Sequence, residues 1–327
     1  MSSVRKRILQ RWLFRAIGRL YLGKPEQAEF LATRYITWKS IRNEGLNQLF
    51  YMLHFKRSFA VTSLQLEVTN RCNMKCPMCP VNREMKRKRG DMDFDKFRKL
   101  VDENPEIEYY LLMNWGEPLL HPRFFDMVRY VRLRGGRPLF TTNGALLTDK
   151  TMREMIGSGV DRVTISMDGI GDTYEHIRGR PYAEIEEKIN RLIEMRDELK
   201  SPMAVDLNLV VFDETENDVA GFMDQWKGKA DRVQIQPRIS FSGKRKTRCK
   251  EPWRGNVIVL WDGTVVPCCV DYDGAMPLGN AFEKPLREIM NGGPARRLRS
   301  LHNRGLFIGP CETCSEYETP WMHSRFG

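Results

Sequence analysis

The sequence predicts an α/β protein: six strand–helix units wound into an open, partial barrel, followed by a small cysteine-bearing domain. From Ser63 to Gln236, short runs with two-residue alternation are followed again and again by runs with helical spacing. Repeated β–α units imply parallel strands with right-handed crossovers. Six units are too few for the closed eight-fold barrel, so the sheet stays open. Beyond residue 240 the rhythm stops and hairpin and cysteine spacings replace it. The expected organisation is an N-terminal helical segment (1–60), a core domain (61–240) and a C-terminal domain (241–327).

Residues 1–60 read as helical. Arg5, Lys6, Arg7, Arg11, Arg15, Arg19 and Lys24 precede the first acid, Glu26, while Ile8, Leu9, Trp12, Leu13, Ile17, Leu20 and Tyr21 fall at three- and four-residue spacing. Such a basic amphipathic helix can lie on an anionic membrane or pack its apolar stripe on the body of the protein. Leu64, Leu66 and Val68 alternate with polar neighbours, making Ser63–Thr69 the first strand. Asp93–Asn104 is a helix capped by Asp93 or Asp91, and Glu108–Asn114 the second strand. Pro122–Arg134 is a helix stopped by Gly135-Gly136. Pro138–Thr142, Arg162–Met167, Ala204–Val211 and Arg232–Gln236 are further strands. The helices Thr148–Ser158, Pro181–Lys200 and Asn217–Lys227 lie between them. In the last domain Asp262-Gly263 is the turn of a hairpin, and Glu288–Asn291 and Pro294–Leu301 are short helices.

The 327 residues are 41% hydrophobic and 29% charged, which suits a soluble globular protein. No apolar run approaches the ~20 residues that span a bilayer, and no signal peptide is visible. The expected compartment is the reducing cytoplasm, peripheral to a membrane if the N-terminal helix binds one. Eight cysteines there read as metal ligands before disulfides. The net charge of +11 is concentrated in Lys86-Arg87-Lys88-Arg89 and in Lys244-Arg245-Lys246 with Arg248 and Lys250. These runs read as attraction to an anionic partner or as a solvated surface. No nucleic-acid motif accompanies them, so nucleic acid is not the favoured partner.

Cys72, Cys76 and Cys79 are spaced C-x3-C-x2-C on the loop after the first strand. Four-iron clusters take one thiolate per iron, so three thiolates leave one iron open. This loop resembles the cluster-binding signature of the radical S-adenosylmethionine (radical SAM) enzymes. The resemblance implies a TIM-like partial (β/α)6 barrel and a [4Fe-4S] cluster whose open iron chelates the amino and carboxylate groups of SAM. Reductive cleavage of SAM then yields a 5′-deoxyadenosyl radical that abstracts hydrogen from substrate. An external donor such as flavodoxin or ferredoxin supplies the electron. A structural zinc knuckle is the competing reading of the three thiols alone.

Further stretches fall where that family places its SAM contacts. Asn114-Trp115-Gly116-Glu117-Pro118 matches the Gly-Gly-Glu-Pro motif except that Trp115 replaces the first glycine. Gly116 reads as a point of close ligand approach. By resemblance Asn114, Gly116 and Glu117 meet the methionine end of SAM, and Ser166 and Asp168 its ribose or carboxylate. Alternation puts Ser166 and Asp168 on one face of their strand. Arg178 matches an arginine that pairs with the carboxylate, Asn208 is a weaker candidate, and Met78 stands where many members put an aromatic against adenine. Thr142-Asn143-Gly144 lines the pocket or is a plain turn.

Cys249, Cys268, Cys311 and Cys314 resemble the ligands of a SPASM extension in its shortened "twitch" form, which implies a second, fully ligated [4Fe-4S] cluster. Zinc is the alternative metal. Cys269 is left over: a buried hydrophobe, a replacement ligand, or a hydrogen donor to a substrate radical. If it continues a strand from Cys268, the two side chains point to opposite faces. The expected activity is a two-electron oxidation of a small hydroxylated substrate, sugar- or aminocyclitol-like. The alternatives are a radical epimerase, a maturase of a ribosomally made peptide, or, outside the enzymes, a zinc protein that binds nucleic acid.

Overall fold

A computed structural model describes residues 37–237 and 244–314. The basic stretch before residue 37, read above as an amphipathic helix, lies outside the described residues. Chain order begins with α1 (Trp38–Met52) and β1 (Ser63–Leu66), then α2 (Phe94–Asp102), β2 (Tyr109–Leu111) and α3 (Phe124–Leu133). It continues through β3 (Arg137–Thr142), α4 (Asp149–Gly157), β4 (Arg162–Ser166), α5 (Gly171–Arg178) and α6 (Tyr182–Glu198). Next come β5 (Ala204–Val211), α7 (Asp218–Trp226), β6 (Arg232–Pro237) and β7 (Asn256–Val259). The last elements are β8 (Thr264–Val266), β9 (Gly279–Asn280), α8 (Leu286–Met290) and α9 (Gly293–Asn303).

The strands form one sheet in the order β6-β5-β4-β3-β2-β1-β7-β8-β9. β1 to β6 pair in parallel, each with its sequence neighbour, as the repeated β–α units require. The sheet is an unclosed partial barrel. β7, which the sequence reading assigned to the C-terminal domain, pairs in parallel with β1, Ser63 opposite Asn256. The hairpin is confirmed: β7 and β8 are antiparallel around Asp262-Gly263, where Gly263 has φ +91 and Asp262 Oδ1 accepts from the Thr264 amide at 3.0 Å.

Alternation along the strands separates two faces. Leu64, Leu66, Phe140, Val163, Ile165, Val205, Leu207 and Leu209 are buried in one core with Phe97, Met127, Val131, Ile189 and Leu192 of the helices. The other face carries Gln65, Asn208, Gln234 and Asn256, with Asn114 just beyond β2, and an apolar patch at Ile258 beside Gln65, so the barrel's interior is mostly polar. There Gln65 bridges strands, donating to Asn114 Oδ1 at 3.1 Å and accepting from Asn256 at 3.2 Å.

The predicted caps hold. Asp93 accepts from the Asp95 and Lys96 amides at α2, and Thr148 accepts from the Thr151 amide at α4. After α3 the chain turns through Gly135 at φ +78, and the Gly136 amide donates to Val131 O at 2.9 Å. α5, unforeseen in the sequence, is a short helix between two glycines, Gly171 and the left-handed C-cap Gly179. Its sequence had been absorbed into site motifs.

Candidate active site

The cysteine loop leaves the C-terminal end of β1. Arginine side chains hold it from outside: Arg89 donates to the carbonyls of Asn70 and Val81, which flank the loop. Arg87 turns inward to the fully buried Glu67 and to Tyr272 O. The basic run is thus neither a solvated patch nor a docking surface at its arginines, which are half-buried; within the run only Lys86 and Lys88 are exposed. The second run behaves alike. Arg245 is buried, and its Nε donates to Cys311 O at 2.9 Å. Sequence reasoning missed both clamps. The available signal was arginine interleaved with lysine, since a guanidinium fork can grip several carbonyls where an ammonium stays hydrated.

Gly116, at φ +108, follows β2. A Cβ there would lie 2.6 Å from Thr69 O and 2.8 Å from Arg71 O. The space read as a ligand's approach is filled by the backbone that leads into the cysteine loop, so this glycine lets two strand-end loops pack. Glu117 is likewise committed to the protein. Buried, it accepts from Thr142 Oγ1 at 2.8 Å, from the Asn143 amide at 2.7 Å and from the Leu119 amide at 3.1 Å. Burial raises its pKa, and these hydrogen bonds oppose the rise. What Glu117 presents to the loop is Asn143, whose Nδ2 lies 3.8 Å from Cys72 Sγ and donates to Asn73 Oδ1 at 2.8 Å. Asn143 therefore belongs to the site.

On the other flank Arg178, at the end of α5, holds Asp168 Oδ2 through Nη2 and places Nη1 3.8 Å from Cys76 Sγ. Asp168 Oδ1 accepts from the Val210 amide at 2.8 Å. β4 ends at Ser166, and Asp168 has φ +54, so strand alternation does not align this pair as the sequence reading supposed. Ser166 stays on the strand, half-buried, in register with Asn208 of β5. Asn114 donates to Glu67 Oε2 at 3.4 Å, and Met78 is half-buried on the loop. Two buried polar atoms here have no partner, Arg178 Nε and Asn208 Oδ1. Buried polar groups are ordinarily satisfied, so a donor and an acceptor left unpaired fit a polar ligand on this side of the loop.

Cys72, Cys76 and Cys79 lie close enough for their charges to interact. Burial pushes the Cys72 thiol up and that of Cys79 up to about 11, and the neighbouring cysteines add to both shifts. The second group is also gathered. Burial drives Cys268 well above the ordinary thiol range, with Cys269, Cys311 and Cys249 adding to the shift, and Cys311 is pushed up to about 12 by burial, then by Cys249. Clustered buried thiols are poor thiolates alone and become good ones beside a bound metal. The donor set, all sulfur in groups of three and four, suits iron–sulfur clusters. Among the described residues no three His, Cys, Asp or Glu side chains already stand in the geometry of a single metal ion's ligands.

Residues 66–225 match the model of the radical SAM superfamily, and residues 249–315 that of the SPASM iron–sulfur cluster-binding domain. The chain belongs to the radical SAM superfamily. A radical SAM domain implies a SAM-binding [4Fe-4S] cluster, and a SPASM domain implies auxiliary iron–sulfur binding. Over 144 residues this radical SAM chain is 41% identical to a tungsten-containing aldehyde ferredoxin oxidoreductase cofactor-modifying protein of Pyrococcus furiosus, covering 42% of the chain and 39% of that protein. It is 33% identical to an AdoMet-dependent heme synthase of Methanosarcina barkeri, covering 36% of the chain and 34% of that protein. The match to a PqqA peptide cyclase of Streptomyces rochei is longer, 22% identity over 79% of the chain and 82% of that protein. Among solved structures, BtrN in complex with AdoMet and 2-DOIA aligns with TM-score 0.54 at 18% identity, over 76% of this chain and 89% of that one. Streptococcus suis SuiB bound to its precursor peptide SuiA aligns with TM-score 0.58 at 14% identity, over 85% and 72%. These likenesses establish the fold as that of radical SAM proteins.

The turn after β8 corrects one expectation. β8 ends at Val266, and Cys268 and Cys269 lie in a turn, so the opposite-face argument does not apply. Cys269 packs against Ile258, Leu260 and Val266, and its carbonyl accepts from Trp115 Nε1 at 2.7 Å. The residue that replaces the motif's first glycine thus ties β2 to the auxiliary cysteines.

Proposed function

We propose that the protein is a radical SAM oxidoreductase that removes two electrons from a small hydroxylated substrate. In this reading Cys72, Cys76 and Cys79 hold the SAM-binding cluster, and Cys249, Cys268, Cys311 and Cys314 hold the auxiliary one. When bound, the first cluster with an external electron supplies a 5′-deoxyadenosyl radical, and the second is an electron sink. The observation that carries the oxidation reading is the second buried gathering of thiols, Cys249, Cys268, Cys311 and Cys314, which suits a fully ligated electron sink. Cys269 packs on a small apolar cluster whose Ile258 stands beside Gln65, so the deuterium experiment below decides between oxidation and epimerisation. Arg178 and Asn208 orient SAM with the unpaired atoms Nε and Oδ1, while Asn143 and Arg178 direct N–H groups at the cysteine sulfurs. The amide-lined interior of Gln65, Asn114 and Asn256 suits a hydroxyl-rich substrate. A peptide substrate is the second reading, favoured by the long alignment with the peptide cyclase.

Replacing Cys72, Cys76 and Cys79 with Ala should abolish 5′-deoxyadenosine formation and leave about four irons bound, those of the auxiliary cube. Full SAM cleavage by this variant would refute the ligand assignment. Cys269→Ala should keep most turnover. Candidate substrates incubated in deuterated water should yield a product two hydrogens lighter, with no solvent deuterium at carbon. Deuterium at an inverted carbon, lost in Cys269→Ala, would instead establish an epimerase.

A further inference from the structure

α1 is built inside out. Its buried side chains are Asn43 and Asn47, whereas Trp38, Leu49 and Met52 stand outward, Trp38 57% and Met52 61% exposed. The asparagines have structural work. Asn47 accepts from the Phe59 and Ala60 amides at 2.8 and 3.1 Å and donates to Ala60 O and Arg254 O. Every residue from Met52 to Arg57 is exposed, with His54 at φ +59 turning the chain. This turn is firmly held. Asn303 Nδ2 donates to His54 O at 2.6 Å, and Trp253 Nε1 to Phe55 O at 2.7 Å. Leu306 and Ile308, also exposed, follow on the turn after Asn303. Exposed apolar side chains in such numbers, held on a fixed backbone, mark an interaction surface.

Charge selects what covers it. Residues 37–59 carry Lys39, Arg42, Lys56 and Arg57 against one acid, Glu44, and residues 300–309 carry Arg304 and no acid. A second copy of this face would meet like charge. So would residues 1–25, where seven basic residues precede the first acid. A helix with outward apolar residues, a tryptophan at its end and flanking Lys and Arg has the make-up of an interfacial membrane helix. Among the described residues no helix is long and apolar enough to cross a membrane, so the contact is peripheral.

We infer that the face formed by Trp38, Leu49, Met52, Leu53, Phe55 and Phe59 docks on an anionic lipid surface, a site independent of the proposed reaction. The face lies under the barrel: Lys39 of α1 donates to Glu106 O just before β2, and Asn47 reaches Arg254 O just before β7. The cysteine loop lies beyond the opposite, C-terminal end of β1.

Sedimentation of the full, cluster-loaded chain with phosphatidylcholine vesicles, with and without phosphatidylserine, tests this. Wild type should bind only the anionic vesicles and dissociate as salt rises. Met52→Glu with Phe55→Glu should abolish binding, and Lys56→Gln with Arg57→Gln should weaken it about thirtyfold, at about 1 kcal/mol per basic residue. These positions are exposed, so both variants should keep wild-type iron content and SAM cleavage. That keeps failure of the docking proposal separate from failure of the proposed function. Absence of vesicle binding at low salt overturns the proposal, as does undiminished binding by Met52→Glu with Phe55→Glu. Vesicle-free protein retained on an immobilised acidic protein, and released by Met52→Glu with Phe55→Glu, would assign the face to an acidic protein instead.

Discussion

Glu67 has no exposed surface, and its carboxylate holds Arg87 beside it. Burial raises its pKa, while the Arg87 guanidinium works in the other direction. A buried pair of this kind gains little over an apolar pair but is costly to break, because the survivor remains charged in a dry site. Arg87→Met should therefore cost about 3–5 kcal/mol in urea unfolding. The double variant Glu67→Leu with Arg87→Met should recover most of that loss, and a double-mutant cycle checks it. Neither residue was legible as a partner of the other, since twenty positions separate them and the lysines around Arg87 suggested a solvent-facing run. The cysteines stood out because thiols spaced as C-x3-C-x2-C and C-x2-C are conspicuous in a sequence, and the structure gathers them into two groups. Clamps such as Arg89 and Arg245, and the Glu117–Asn143 contact, depend on which loops the sheet brings together.

At the level of elements, capped helices and alternating strands could be read directly, because Asp93, Thr148 and Gly135 act on their own neighbours. α5 was missed because eight residues between glycines carry too little periodicity. That β7 pairs with β1 was not legible, because its four residues give no hint of whether their partner is local or far away. One joint between elements is pH-sensitive. His121 Nδ1 accepts from the Arg123 amide at 3.1 Å, so Nε2 carries the proton that binds Met92 O at 3.0 Å, linking the start of α3 to the entry of α2. Burial lowers the His121 pKa below its ordinary value. The unfolded chain then binds more protons below about pH 6.5, so stability is complete above that value and falls as the pH drops toward the folded-state pKa. The urea midpoint should decline on acidification through this window. The decline should be shallower in His121→Gln, which has no proton to gain.

For the whole molecule, both cysteine groups depend on one continuous sheet. β1 carries the first cysteine loop and is flanked by β2 on one side and by β7, beside the auxiliary cysteines, on the other. This pairing has a cost in time during synthesis. β1 ends at Leu66, and the strand that covers its second side begins at Asn256, 190 residues later. At about 5–20 residues per second, the ribosome leaves that edge open for roughly 10–40 s. An unpaired edge invites pairing with other chains. The nascent chain thus passes through a sticky interval in which its first three cysteines are already made and their strand is only half enclosed. Slow translation or early termination before Asn256 would prolong that exposure, which makes the far end of the gene a determinant of how cleanly the near end folds.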